Sequence, residues 1–405
     1  MFSNLSLLSN VPSTQGIKYA GSKLKLLPYI LDLANRTGAK TILDGFSGST
    51  RVSQAFAKSG YRVISNDIAI WSQVLSKCYL QNKNYRNKYA KLIGNLNSVP
   101  SKDGWFTEHY GGYRNGGNAI QADGLKKPWQ IHNTRKLDGI REEIDRLSLS
   151  PIEKAIALSS LMLALDQVDN TIGHYVSYLS KWSSRSYKEL ILQIPDVFVL
   201  NEDNIVLGND IFDICNTDAD LAYFDPPYGS NNEKMPPSRV RYASYYHLWT
   251  TVCLNDKPKL FGKAKRRVDT SDKISGSVFE EFRKNQKTGR FVAVEALEKL
   301  IKSTAARWII LSYSSGGRAT AGEINSMLSH YGEIVDIIKV DYKRNVMSNM
   351  KWTNECLTKW LDSCLMQPQQ THASHGIHTP QDSRRRRLAK PSSSASTFSF
   401  LPGPR

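Results

Sequence analysis

The residues best equipped for chemistry in this 405-residue chain are Asp225-Pro226-Pro227-Tyr228, which directly follow the apolar run Leu221 to Phe224. Two prolines fix the backbone and remove two amide donors, so neighbouring carbonyls are left to face outward. A carboxylate and an aromatic ring then share the carboxyl edge of a strand. That set suits an exocyclic amino group: Asp225 and the Pro226 carbonyl each accept one of its hydrogens, while Tyr228 stacks on the base that carries it. A second set is Asp44-Gly45-Phe46-Ser47-Gly48-Ser49-Thr50, followed by Asp67 at the end of the next apolar run. Gly45 and Gly48 would let a ligand approach the backbone, and Asp67 could accept both hydroxyls of a ribose. A tight turn and a surface acid are the plainer alternative. The pattern is not G-x-G-x-x-G, which disfavours a nicotinamide cofactor.

These residues need a sheet to hold them. Short β-branched or aromatic runs predict strands at Thr41 to Leu43, Tyr61 to Ser65, Ile205 to Leu207, Leu221 to Phe224, Arg307 to Ser312 and Glu333 to Val340. The segment Arg51 to Ser59 has helical composition and ends at Gly60, so it completes a β-α-β unit. A mostly parallel α/β sheet flanked by helices follows. Between Trp71 and Asn204 the pattern changes to a glycine and aromatic segment and then helices. The clearest helix begins at Ser150, where Ser150, Pro151 and Glu153 form a capping box ahead of an apolar stretch.

The motifs resemble the amino-group DNA methyltransferases that use S-adenosyl-L-methionine, in particular the adenine-specific enzymes of bacterial restriction-modification systems. Lys18-Tyr19-Ala20-Gly21-Ser22-Lys23 looks like their amino-terminal cofactor motif, Asp44 to Thr50 their glycine motif and Asp225 to Tyr228 their catalytic tetrapeptide. The resemblance implies a Rossmann-like core with an inserted, largely helical target-recognition subdomain. It implies cofactor contacts by Tyr19, Lys23, Asp44, Gly45, Ser47, Gly48, Asp67, Asp210 and Asp225, and catalysis by Asp225, Pro226, Pro227 and Tyr228. It further implies duplex DNA as substrate, with flipping of the target base, and a separately encoded restriction endonuclease as companion. Asp225 in the first catalytic position favours adenine over the cytosine amino group; a structured RNA is the nearest rival substrate. Asn170 to Tyr175 and Arg241 to Trp249 also look like segments of a restriction-modification subset, with aromatic packing as the plain alternative.

The charge fits a polyanion partner. The chain carries +17, of which Arg384 to Arg387, Lys390 and Arg405 with Asp382 account for +5 in a polar tail, so the remainder is basic in its own right. Phosphate contacts are expected from the loop Lys257 to Lys273, through Lys263, Lys265, Arg266 and Arg267, and base reading from the insertion, through Tyr113 and Arg114. The expected organisation is an arm at 1–15, a catalytic core at 16–70 and 200–362, an insertion at 71–199 and a disordered basic tail at 366–405. Five scattered cysteines and eight histidines without ligand spacing suggest neither disulfide framework nor metal site. No apolar run reaches the roughly 20 residues that span a bilayer, and no secretory signal is evident, so a cytoplasmic protein is expected.

Overall fold

The computed structural model describes residues 11–229, 241–271, 276–281, 283–314, 316–341 and 360–368. Seven strands form its main sheet: β1 (Thr41–Asp44), β2 (Arg62–Asn66), β3 (Ile205–Leu207), β4 (Leu221–Phe224), β5 (Trp308–Ser314), β6 (Gly332–Asp341) and β7 (Trp360–Pro368). Their order is β6-β7-β5-β4-β1-β2-β3. The first five pair in parallel, whereas β7 runs antiparallel to both β5 and β6. The mostly parallel α/β sheet expected from the sequence is therefore present. β7 is an addition: it extends through Met366, Gln367 and Pro368, so the boundaries at 362 and 366 fall inside a paired strand rather than at the end of the core. The rest of the tail lies outside the described residues.

Apolar residues alternate to both faces of the sheet, and helices cover each. Ile42, Val63, Leu221, Tyr223 and Ile310 pack against Leu27, Ile30, Leu33 and Ala34 of α1 (Leu27–Arg36) and against α2 (Arg51–Lys58). Leu43, Ala222, Phe224, Ile309 and Leu311 face Leu297 and Leu300 of α7 (Val292–Ser303) and Met327 and Leu328 of α8 (Ala321–Tyr331). Burial on both faces is why these strands read as nearly continuous apolar runs.

The segment expected as an insertion has its own core. Its helices α4 (Ile131–Arg146) and α5 (Pro151–Val168) pack with α3 (Ile70–Leu80) and α6 (His247–Leu254). The Ser150 capping box is formed, with Glu153 N donating to Ser150 Oγ at 3.3 Å and Ser150 N to Glu153 Oε2 at 3.0 Å. α5 is buried nearly all round, as the central helix of a bundle must be. The boundaries differ from 71–199. α3 belongs to both layers, since Ser76 Oγ lies 2.9 Å from Ser65 Oγ of β2. The bundle also takes in residues after the tetrapeptide Asp225 to Tyr228: buried Arg141 donates to the carbonyls of Val252 and Cys253 at 2.6 and 3.1 Å, satisfying the open end of α6. The expected amino-terminal arm is docked where described, with Gln15 N donating to Gln54 Oε1 at 3.1 Å and Tyr79 Oη to Gln15 Oε1 at 2.8 Å. Cys78, Cys215 and Cys253 are buried free thiols. Among the described residues no helix is long and apolar enough to cross a membrane.

Candidate active site

β1 pairs with β2 on one side and β4 on the other, so the chain order reverses between β1 and β4. A crevice opens at the carboxyl ends of strands at such a switch point. The two motif turns leave the sheet there, Asp44 to Thr50 from β1 and Asp225 to Tyr228 from β4.

The glycine turn is tied to its neighbour. Ser47 N and Oγ each donate to Asn66 O at 2.9 Å, and Asn66 Nδ2 donates to Gly45 O at 3.3 Å and to Asn209 O at 3.1 Å. Gly48 takes a left-handed φ of 47°, with the Tyr19 ring only 3.1 Å from where a Cβ would sit. Gly45 serves packing instead, since a Cβ there would meet Phe224 at 2.7 Å. Thr50 enters α2 at φ 63°, a strained value for a non-glycine residue, held by Gln54 Nε2 donating to Thr50 Oγ1 at 2.8 Å. Asp44 is fully buried. Ser53 Oγ donates to its Oδ2 at 2.5 Å, while Oδ1 has no partner. Burial pushes its carboxyl up to about 7, against the Ser53 hydroxyl.

Asp67 is reached by two amides, Gly48 N at 2.8 Å on Oδ2 and Ala69 N at 2.9 Å on Oδ1. Burial holds it above the usual carboxylate range despite those donors. Each oxygen keeps a second lone pair for a ligand hydroxyl. The adjoining Ile68 is 75% exposed, an apolar face beside an acid that the sequence reading passed over because one exposed isoleucine carries no pattern. Asp210, exposed at the β3 edge, caps a short helix by accepting from Phe212 N at 2.9 Å.

At the tetrapeptide the structure rearranges the expected roles. Lys23, 5% exposed, donates to Asp225 Oδ2 at 2.5 Å, Tyr228 Oη at 3.0 Å and Gly21 O at 3.1 Å. All three of its hydrogens are used, so it serves the catalytic turn rather than contacting a cofactor. Asp225 Oδ1 is buried and unpartnered. Burial pushes the Asp225 carboxyl up to about 6, with Lys23 and the Tyr228 hydroxyl pulling it down. Pro226 is buried and Pro227 half-buried behind it. Tyr228 is 8% exposed, with Tyr313 against its edge at 5.2 Å, so in this state the ring is a packed member of the site rather than an open stacking platform.

Tyr19 lies against Tyr246 (ring centroids 4.9 Å apart), Tyr242 (5.4 Å) and Trp71 (5.7 Å), and Tyr246 Oη accepts from Ala20 N at 2.7 Å. This gives the segment Arg241 to Trp249 a role: it walls the amino-terminal motif. Asn170 to Tyr175 braces that wall, with His174 stacked on Tyr245 at 4.6 Å and Tyr175 N donating to Tyr245 O at 2.8 Å.

The basic loop divides. Leu260–Phe261 and Arg266–Arg267 form a two-stranded ribbon. Tyr110 Oη donates to Lys265 O and Tyr178 Oη to Ala264 O, at 2.7 and 2.8 Å, which fixes its turn to the helical bundle. Lys263 is exposed; Lys265 and Arg266 are half-buried, with the Arg266 guanidinium 4.6 Å from the Phe261 ring. Arg267 is not a phosphate contact. It is 4% exposed and donates to Asp256 at 2.7 Å twice and to Asp269 at 2.6 Å, so its charge is already matched. Arg267→Ala should therefore cost stability, about 1 to 3 kcal/mol because both carboxylates are partly solvated, and lower the midpoint of thermal unfolding. Lys263→Ala, at an exposed side chain, should leave that midpoint in place. In the insertion, Tyr113 is 59% exposed on a loop held from below by Trp182 Nε1 donating to Tyr113 O at 3.1 Å; exposed Arg114 donates to Gln130 Oε1 at 2.8 Å.

The mostly parallel sheet with helices on both faces is that of an α/β, methyltransferase-like fold. Residues 19–298 match the family model described as D12 class N6 adenine-specific DNA methyltransferase, and the chain belongs to that family. Over 84% of its length it is 30% identical to Modification methylase StsI of Streptococcus sanguinis, of which it covers 50%. Over 81% it is 24% identical to Type II methyltransferase M.NlaIII of Neisseria lactamica, of which it covers 92%, and over 81% it is 27% identical to Type II methyltransferase M.FokI of Planomicrobium okeanokoites, of which it covers 49%. The chain thus spans about half the length of the StsI and FokI relatives and nearly all of the NlaIII relative.

Proposed function

We propose that this protein transfers the methyl group of S-adenosyl-L-methionine to the N6 amino group of adenine in duplex DNA, in the cytoplasm, as the modification enzyme of a restriction-modification system with a separately encoded nuclease. The observation that carries this reading is the state of Asp225: one oxygen is locked by Lys23, and the other is buried without a partner beside the chain reversal of the sheet. A buried acceptor left open is costly unless a ligand completes it.

The residues present fit the cofactor. Asp44 Oδ1 is a second buried, open acceptor at the glycine turn, suited to a cationic amino group. Asp67 keeps lone pairs for ribose hydroxyls, and Ile68 offers an apolar face to an adenine ring. Tyr19 lines the same turn across Gly48. Asp210 stands as an outer acceptor and the turn at Ser47 and Gly48 as the backbone cradle, which Gly45 supports by letting Phe224 pack beneath it. When bound, the cofactor supplies an electrophilic methyl on a positively charged sulfur.

The chain's part is to prepare the amino nitrogen, whose lone pair is delocalised into the base. Asp225 Oδ1 and the Pro226 carbonyl accept its two hydrogens, which draws the nitrogen toward tetrahedral geometry and frees the lone pair for attack. Pro227 keeps the turn rigid. As the new bond forms the nitrogen sheds one proton, for which ionised Asp225 is the acceptor at hand. A base inside a duplex is out of reach, so it must be flipped into the site, and its arrival must uncover the Tyr228 face for stacking. Lys263, Lys265 and Arg266 then hold phosphates, and Tyr113 and Arg114 meet base edges.

Tritium transfer from labelled cofactor to plasmid DNA, compared with total RNA, tests the reading; label entering RNA alone overturns it. Asp67→Ala should weaken cofactor binding by about 1 to 3 kcal/mol, the range for a charged hydrogen-bond partner. Titration calorimetry without DNA checks this, and unchanged affinity removes Asp67 from the ribose site.

A further inference from the structure

Building on the proposed DNA methyl transfer, we infer that Asp169 is a positioning residue through which the recognition bundle holds the amino-terminal segment of the active site, so that reading a correct sequence and transferring the methyl group are coupled. Residues 16–23 form no helix or strand, and apart from the local backbone bonds Ser22 N to Tyr19 O and Leu26 N to Lys23 O their hydrogen bonds to the rest of the protein run through side chains. At one end of the segment the Lys18 amide donates to Asp166 Oδ2 at 2.9 Å, and Lys18 Nζ to Asp169 Oδ1 at 2.7 Å. At the other end Lys23 grips Asp225.

Asp169 itself is 1% exposed and fully engaged. Its Oδ1 also takes Arg185 Nε and a terminal guanidinium nitrogen at 2.8 Å, and its Oδ2 takes Thr171 Oγ1 at 2.5 Å. Lys18 and Arg185 thus share one buried carboxylate, and loss of its charge would leave Lys18 with only the longer contact to Asp166 Oδ1 at 3.6 Å. Arg185 lies in the short turn Ser184–Tyr187. That turn reaches the outer loop twice: the Arg114 guanidinium sits 5.3 Å from the Tyr187 ring, and Gln130, which accepts from Arg114, donates to Ser186 Oγ at 3.4 Å. A contiguous path therefore runs from Arg114 through the turn that carries Arg185, and from there through the ion pairs of Asp169 with Arg185 and Lys18, to the segment ending at Lys23. Removing the charge at its centre should loosen the segment without removing any group that touches base or cofactor.

The test is kinetic. It uses the full chain, a duplex carrying the site identified by sequencing methylated plasmid, and a duplex with one mismatched pair. Asp169→Asn should lower kcat on the correct duplex at least tenfold and on the mismatched duplex less than threefold, with KM for DNA and cofactor affinity in the absence of DNA within twofold of wild type. Arg114→Ala should cost at least tenfold in discrimination in the wild-type background and less than threefold in the Asp169→Asn background, the signature of a shared path. Equal losses on both duplexes, losses that multiply in the double variant, or no loss of discrimination in Arg114→Ala each overturn the coupling. Should Asp169→Asn not fold, Arg185→Lys, which keeps the charge and loses the guanidinium fork, is held to the same split. A wild-type protein that methylates no DNA refutes the proposed function; an active wild type with multiplicative losses refutes this inference alone.

Discussion

Asp225→Asn is expected to transfer methyl groups at less than about one thousandth of the wild-type rate while folding normally and binding cofactor within a few-fold of wild type. The substitution keeps the shape of the side chain, and the retained carbonyl oxygen can still accept from Lys23. What it removes is the negative charge that holds the amino hydrogens as positive charge develops on the nitrogen. Loss of a preorganised electrostatic partner of this kind costs roughly a hundred- to a thousandfold, and loss of the proton acceptor adds to it. Single-turnover rates with pre-bound cofactor and a duplex containing the site separate chemistry from binding. A rate within tenfold of wild type would remove Asp225 from the mechanism, and a matching collapse in cofactor affinity would make it a binding residue instead.

Lys23→Met should lower the rate at neutral pH by about a hundredfold or more, and by more at low pH than at high pH. Burial pushes the Asp225 carboxyl up to about 6, and Lys23 is the strongest influence pulling it back. Without the ammonium group the carboxyl rises further, so the ionised form that accepts hydrogen bonds is reached only at higher pH, and the acid limb of the kcat profile moves in the alkaline direction. Stability follows the same sign: a carboxyl whose folded pKa lies above its unfolded value opposes folding increasingly as pH rises through that interval. The variant should thus lose more of its thermal midpoint at pH 8 than at pH 6, relative to wild type. A kcat profile displaced vertically with an unmoved acid limb would show that Lys23 acts by packing alone.

The parallel strands β1, β2, β4 and β5 were legible because they are buried on both faces and so read as apolar runs with a turn at the carboxyl end, and half-buried β3 at the sheet edge was legible from its run of Ile, Val and Leu alone. β7 was not. Its sequence, Trp360-Leu361-Asp362-Ser363-Cys364-Leu365-Met366-Gln367-Pro368, has polar residues in the middle and a proline at the end, and it becomes a strand through pairing with β5 and β6 on both sides. At the site, the order of the motifs placed Asp44, Asp67 and Asp225 on strand ends. The partner of Lys23 could not be read from its neighbours, because Asp225 lies 202 residues away. Arg267 shows the converse error. A run of cations suggested phosphate binding, yet Asp256 and Asp269, 11 positions before it and 2 after, were the visible sign of an internal clamp. Burial of Tyr228 depends on Tyr313 and on Gly317, where a Cβ would strike the Tyr228 side chain at 2.8 Å, and neither is near it in sequence.

The place of β7 has a consequence for how the molecule is made. Emerging from the ribosome amino end first, the chain can assemble the helical bundle and the strands from β1 to β5 while β7 is still inside the exit tunnel. Until then β5 presents an open row of amides and carbonyls flanked by Ile309, Ile310 and Leu311, an edge on which another nascent chain could pair. β6 arrives earlier but cannot close the gap, because its place is one strand further out. The crevice between β1 and β4 is thus assembled before the sheet is sealed, and chains stalled before Trp360 should collect in inclusion bodies even though every residue of the proposed site has been made.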